Sequence, residues 1–389
     1  MTRRYDLDWL RVILFGILVV HHAAVGFASF GAEIYGFAND RLAGDGLSLL
    51  IYFSHTWRLP ALFLISGIGT YFATSKGFGA GFMGRRIARL MVPALFTTFV
   101  LNLFAGYAIA WANAPTVAFT DVAWQWWFDP EPRQVMHTWF LINLTIYTVL
   151  CWPLIALRAR FERWAIAPPV LLAGMVAMAT VVAVAFKPYA SALAGDGYQF
   201  PWYLVIFAGG FLIGAQHRPV LDWLARWWPA CLAAGVVGYL VDVSILTAYL
   251  LSNEPLGIAL SQGGWAREGL APAYGPGPVL SATVKGLNAW FLSFTALGLA
   301  ARYLRRPGKA LGALGRATFP IYVLHFPITL IVLALFAQLP WPWGLEFLML
   351  TVIVYILTGL TYLLADRSPF PVFLIGGRAR PGGELAQVP

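Results

Sequence analysis

Leu7-Asp-Trp-Leu-Arg11-Val-Ile-Leu-Phe-Gly-Ile-Leu-Val-Val-His21-His22 carries the pattern that decides the fold: an apolar run from Val12 to Val20, with charged residues before it and two histidines at its end. A helix needs about 20 mainly apolar residues to cross a bilayer, and this run, near 10–30, is the first of ten. The others lie near 47–74, 88–111, 136–157, 166–186, 199–215, 229–251, 279–301, 310–337 and 344–365. Of the 389 residues, 60% are hydrophobic and 11% charged, against roughly 25% charged in a soluble domain. So few charges cannot coat a water-facing core. The expected fold is an all-α bundle of about ten transmembrane helices forming a single membrane domain over 1–389, with 368–389 as a cytoplasmic tail.

Basic loops resist translocation, so Lys and Arg give the orientation. Arg3 and Arg4, then Lys76, Arg85, Arg86 and Arg89, then Arg158, Arg160 and Arg163, then Arg218 and Arg226 fall on alternate loops. Arg302, Arg305, Arg306 and Lys309, and the tail with Arg367, Arg378 and Arg380, continue the series. These segments are expected inside. The intervening loops hold only Arg41, Arg133, Lys187 and Arg267, and most of the loop acids: Glu33, Asp40, Asp45, Asp121, Asp129, Glu131, Asp196, Glu254 and Glu268. An even helix count then places both termini in the cytoplasm. The Gly- and Pro-rich outer segment 252–278 is long enough to act as a lid.

The net charge of +9 is topological on this reading. The basic residues form no continuous stripe, and no nucleic-acid partner is expected. Arg3 and Arg4 before an apolar run imitate a secretory signal, but Asp6 and Asp8 precede the run and His21 and His22 end it, so the first helix is expected to stay as an anchor. Cys151 and Cys231 stand in apolar stretches without a pairing or ligand pattern, and neither a disulfide framework nor a metal site is indicated.

A charged side chain at a helix centre costs about 2.5–3.5 kcal/mol on insertion scales, so each needs a partner, a wet cavity or a function. Arg11, His21 and His22, His55 and Arg58, Asp242, Lys285, and Arg316 and His325 are such residues. Ten residues separate Arg11 from His22, and the eleven steps between them give roughly 16 Å of axial rise, which places His22 near the bilayer midplane if Arg11 is at the inner boundary. There an imidazole can accept a proton, whereas Arg11 alone would read as an interfacial anchor. His55 and Arg58 share a helical face just before Pro60. Ser66 and Gly67 fit close helix packing. Arg86 and Arg89 align two guanidinium groups, a fork suited to phosphate, although positive-inside topology also puts arginines there. Trp124, Trp126 and Trp127 fit an aromatic belt, with sugar stacking as a lesser option.

Together, Leu7–Arg11 through His22 with its Arg-x10-His spacing, Phe53–Gly67, Arg86 and Arg89, His137-Thr-Trp139-Phe-Leu141, and Ile321-Tyr322-Val-Leu-His325 resemble the membrane acyltransferases of acyltransferase family three. Within that family they are similar to the enzymes that succinylate osmoregulated periplasmic glucans. The resemblance spans almost the whole chain. It implies transfer of a succinyl or acetyl group from cytoplasmic acyl-CoA, a co-substrate and not a bound cofactor, to a hydroxyl of an extracytoplasmic carbohydrate, in a multi-pass bacterial inner-membrane protein. It leaves room for a glycan-synthesis partner protein.

On that resemblance His22 is the expected general base, or the site of a covalent acyl-histidine, with Arg11 or Arg58 stabilising negative charge. Arg86 and Arg89 are the expected donor-binding residues. His55, His137, Trp139, Tyr322, Lys285 and His325 mark the substrate path or acceptor site, with His22 and His55 at mid-depth and His137 and His325 further outward. Asp8 either orients Arg11 or caps the first helix. The adjacent His21 complicates any test of His22. The rival class is a proton-coupled or small-molecule transporter, which uses buried His, Arg, Lys and Asp equally well, though no internal repeat is visible. A structural membrane protein would need none of these charges.

Overall fold

In hydrocarbon every backbone polar group must find a partner within the protein, which a helix achieves inside its own segment. The chain takes that route. The computed structural model describes residues 4–37, 39, 42–75, 77–129, 132–164, 166–186, 199–253 and 276–377. In chain order the helices are α1 (Tyr5–Val25), α2 (Gly31–Tyr35), α3 (Asp45–Thr74), α4 (Ala80–Phe96), a turn of π-helix at Thr97–Leu101, α5 (Asn102–Asn113) and α6 (Phe119–Phe128). A 3-10 segment at Pro132–Thr138 leads into α7 (Trp139–Leu150), α8 (Trp152–Ala156) and α9 (Arg158–Glu162). There follow α10 (Pro168–Phe186), α11 (Gln199–Ala215), α12 (His217–Asn253), α13 (Pro276–Tyr303), α14 (Leu311–Phe336), α15 (Trp343–Ala365) and α16 (Pro369–Leu374).

Among the described residues seven helices are long and apolar enough to cross a membrane: Tyr5–Val25, Asp45–Thr74, Ala80–Asn113, His217–Ile245, Thr283–Tyr303, Leu311–Phe336 and Trp343–Ala365. Three shorter apolar helices, Val135–Leu150, Pro168–Ala183 and Phe200–Ala215, fall on the remaining apolar runs of the sequence. The boundaries differ where polarity or proline intervenes. The run at 88–111 lies inside a rod from Ala80 to Asn113. The run at 136–157 is broken at Cys151, because Pro153 has no N–H to extend the ladder. The run at 229–251 belongs to a helix that starts at His217, whose first turns carry Arg218, Asp222 and Arg226 and so escape a hydropathy count.

Small residues set the closest helix approaches. A Cβ on Gly67 of α3 would lie 2.0 Å from the Phe207 carbonyl oxygen of α11, and one on Gly210 of α11 would lie 2.1 Å from the Leu64 carbonyl oxygen. Backbone therefore meets backbone at this crossing, as small residues permit in membrane bundles. At one end of α3, Tyr71 donates to Glu162 at 2.8 Å and Arg158 donates to the same oxygen at 2.7 Å. The Arg158 hydrogen bonds hold the Glu162 carboxyl below its ordinary value.

At the start of the segment expected as a cytoplasmic tail, α16 packs back on α4, and Val372 and Ile375 are buried. Gly376, at φ 78°, closes the helix with its N–H on the Phe373 carbonyl, while the Gly377 N–H reaches the Val372 carbonyl. This is the paired C-terminal bonding for which glycine is favoured. Residues 378–389 lie outside the described residues. So do 254–275, which contain most of the expected lid, and Arg3, Asp40, Arg41, Lys76, Glu131, Lys187, Asp196, Glu254, Arg267 and Glu268 from the orientation argument.

Candidate functional site

The end of α1 leaves its last carbonyls without helical donors. Tyr35, from the short α2, donates its hydroxyl to one of them, the His22 carbonyl, at 2.5 Å. That bond fixes the final turn of α1, from which His21 and His22 project. Helix α3 runs alongside and brings His55 and Arg58. The 3-10 segment brings His137, and α14 brings Tyr322 and His325. These groups surround a cavity of about 660 Å³ lined by His21, His22, His55, Arg58, His137 and Tyr322 among others.

The histidines form one cluster. His22 Nδ1 and His325 Nε2 are 2.8 Å apart, with the rings nearly parallel at 4°. His325 Nδ1 lies 2.6 Å from the Tyr322 carbonyl oxygen. The His137 and His325 rings are 5.3 Å apart, and His21 stacks on His55 at 6.2 Å. His22 and His325, expected at different depths, are in direct contact.

Hydrogen-bond chemistry orders the protons in this chain. A carbonyl only accepts, so His325 donates from Nδ1, and its Nε2 in the neutral ring is an acceptor. His22 must then donate from Nδ1, which leaves the lone pair of neutral His22 on Nε2. His325 is completely buried behind His22, which lines the cavity.

Arg58 is 1% exposed and donates from Nη1 to Ser54 Oγ, one turn earlier, at 2.9 Å. Its Nε has no hydrogen-bond partner, and among the described residues no carboxylate pairs with it. A buried guanidinium is costly, and Arg58 puts a positive charge beside the histidines of the cavity.

The two arginines offered as alternatives for stabilising negative charge are separated. Arg58 is in the cavity wall. Arg11 lies toward the other end of α1, 3.6 Å from Asp8, with its side chain 43% exposed. Arg86 and Arg89 are also away from the cavity lining: Arg86 donates to Thr148 of α7 at 2.8 Å, and the Arg89 guanidinium sits 5.9 Å from the Phe319 ring centre. Trp139 lines the cavity. Lys285 does not, lying 5.7 Å above the ring of Tyr52, whose hydroxyl donates to the buried Asp242 at 2.7 Å. Tyr52 therefore joins Asp242 and Lys285 into one cluster next to the cavity.

Sequence reading missed several of these parts. Tyr35 and Tyr52 carried no local signal, because their partners lie on other helices. Trp126 and Trp127, read as an aromatic belt, have a further job. Their indole N–H groups donate to the Thr98 and Phe99 carbonyls at 3.0 and 3.1 Å. Those carbonyls lie within the π-turn, where the ordinary helical register is lost. The bonds seat α6 against α5, and Gln125, Trp126 and Asp129 form part of the cavity wall.

Residues 4–363 match the family model described as an acyltransferase domain, acyltransferase family three, and the chain belongs to that family. No curated protein and no solved structure matches it. The chain is a multi-pass membrane acyltransferase in the general sense that the family and its apolar helices establish.

Proposed function

We propose that this family member moves an acyl group from cytoplasmic acyl-CoA, through the cavity between α1, α3 and α14, to a hydroxyl of a carbohydrate on the far side of the membrane. The observation that carries this reading is the hydrogen-bonded His22–His325 pair, which directs a basic nitrogen of His22 away from its partner in a cavity that also holds Arg58. In the proposed topology all ten apolar helices span a bacterial inner membrane, with both termini in the cytoplasm.

His22 takes the proton of the acceptor hydroxyl as its oxygen attacks the thioester carbonyl. The carbonyl oxygen becomes an oxyanion, and Arg58 is the cation available to stabilise it. Collapse of the tetrahedral species breaks the carbon–sulfur bond, and the CoA thiolate takes the proton from His22. The proton count closes without an external acid. Arg86 and Arg89 hold the donor phosphates before the thioester enters the cavity. Trp139 and Tyr322 offer aromatic walls to the acceptor.

The acyl group is succinyl or acetyl, and the resemblance to glucan succinylating enzymes favours succinyl on an osmoregulated periplasmic glucan. Glycan mass spectra from cells with and without the protein test this: succinylation adds about 100 Da and acetylation about 42 Da per hydroxyl, by covalent arithmetic. An unchanged mass for every envelope glycan refutes the proposal. A proton-coupled transporter is the second reading, favoured by the Tyr52–Asp242–Lys285 cluster within the helices. Acyl transfer by the purified protein to a hydroxyl separates the two.

A further inference from the structure

Helix α14 contains Pro327. In an uninterrupted helix the N–H of residue 327 would bond the Val323 carbonyl, but proline has no N–H. A buried carbonyl left in this way needs another donor. His137 Nε2, 3.2 Å from the Val323 oxygen, supplies it. Since the carbonyl can only accept, His137 carries its hydrogen on Nε2, and the neutral ring has its lone pair on Nδ1.

The rest of the segment holds that ring in place. The His137 carbonyl accepts from the Tyr322 hydroxyl at 2.6 Å. Thr138 Oγ1 contacts Thr98 Oγ1 at 3.0 Å. Met136, immediately before His137, has φ 44° and ψ −130°, a conformation that residues with side chains seldom adopt and that persists only where surrounding contacts impose it. His137 is 6% exposed and lines the cavity; its Nδ1 is itself buried in the cavity wall and has no hydrogen-bond partner among the described residues.

We infer that His137 Nδ1 is a second hydrogen-bond acceptor built into the cavity, that it receives a hydroxyl of the acyl acceptor, and that Pro327 is the positioning residue that fixes it in this tautomer. This rests on the acyl-transfer reading, and deepens it by dividing the work: His22 takes the reacting proton and His137 holds the alcohol. It also restricts the ligand, since the bound group must donate a hydrogen bond, which a hydroxyl does and an ether or ester oxygen does not.

Isosteric replacements separate the two ring nitrogens. In His137→Asn the side-chain oxygen can occupy the Nδ1 position and keep the acceptor. In His137→Gln the amide nitrogen can occupy the Nε2 position, keeping the bond to Val323 while losing the acceptor. The assay is thiol release from succinyl-CoA and from acetyl-CoA by the full-length protein in proteoliposomes, with methyl β-glucoside as the hydroxyl probe. His137→Gln should raise KM for the glucoside about tenfold, the scale of one lost hydrogen bond, with KM for acyl-CoA unchanged. His137→Asn should stay within about threefold of wild type. Pro327→Ala, which restores a helical donor to Val323 and frees His137 to change tautomer, should resemble His137→Gln, and combining the two should add little. Equal losses in both His137 variants, the reverse order, or no effect in either overturns the inference. Failure of the wild-type protein to acylate any hydroxyl, the probe and envelope glycans included, overturns the acyl-transfer reading itself.

Discussion

His325 is the most informative residue to change, because in the proposed mechanism its task is chemical and is carried out behind the cavity wall. It is fully buried, and its Nε2 lies 2.8 Å from His22 Nδ1. His325→Leu removes that acceptor at broadly similar volume. Neutral His22 then loses the bond that selects its tautomer. More importantly, the imidazolium formed during proton transfer loses a partner for its Nδ1–H. A hydrogen bond to a charged group contributes about 1.5–3 kcal/mol, so kcat should fall roughly 10- to 150-fold at 1.4 kcal/mol per factor of ten. KM for acyl-CoA should change little, since His325 is not in the cavity lining and the expected donor residues are on α4. In His325→Gln the side-chain oxygen can occupy the Nε2 position and accept again, so that variant should recover most of the loss. Thiol release from acyl-CoA, measured at saturating donor and acceptor on wild type and both variants, gives the comparison. The reasoning fails if His325→Leu retains more than about half the wild-type kcat, or if Gln is no better than Leu in a protein that elutes as wild type does on size exclusion.

Arg58→Met keeps the length of the side chain and removes the charge. Acyl transfer should fall by about 10²-fold or more, while the unfolding temperature in detergent holds or rises, because a buried guanidinium with no carboxylate partner among the described residues is no stabilising element. Gly67→Ala places a methyl against the backbone of α11 and should destabilise by about 1–3 kcal/mol; Gly69→Ala, with nothing within 4 Å of the added carbon, is the neutral control in the same thermal-shift experiment. Replacing Arg86 and Arg89 by Ala should raise KM for acyl-CoA without altering KM for the hydroxyl acceptor, and a change confined to the acceptor would reassign the pair. The tie from Glu162 to Tyr71 and Arg158 should be present at neutral pH and lost on acidification. Because the folded carboxyl titrates below its unfolded value, the stabilisation is complete above the unfolded value and disappears as pH falls through the folded one. Exposure limits it to under about 1 kcal/mol, so Glu162→Gln should lower thermal stability slightly at pH 7 and have no effect in acid.

The sequence by itself determined that this chain enters a membrane and where its helices lie. Apolar length is a local property, and a backbone in lipid has little choice but to form a helix along it. His22, Arg58 and His55 were legible as candidates for the same reason: a polar residue inside an apolar run is anomalous wherever the helix goes, whereas His137 and Tyr322 entered only through the family resemblance. Pro327 was visible too, four residues beyond Val323, but nothing local could say which side chain would take the freed carbonyl. Tertiary structure decided the partners. His22 and His325 are 303 positions apart and His137 and Val323 186 apart, so their contacts depend on which helices pack together and in what rotation. The same packing set Arg58 among the histidines and left Arg11 beside Asp8, although the sequence offered both for one role. It turned Trp126 and Trp127 from an apparent lipid belt into donors for a π-turn. Tautomers lie furthest from the sequence, because a histidine has a defined base nitrogen only once another atom has claimed the first.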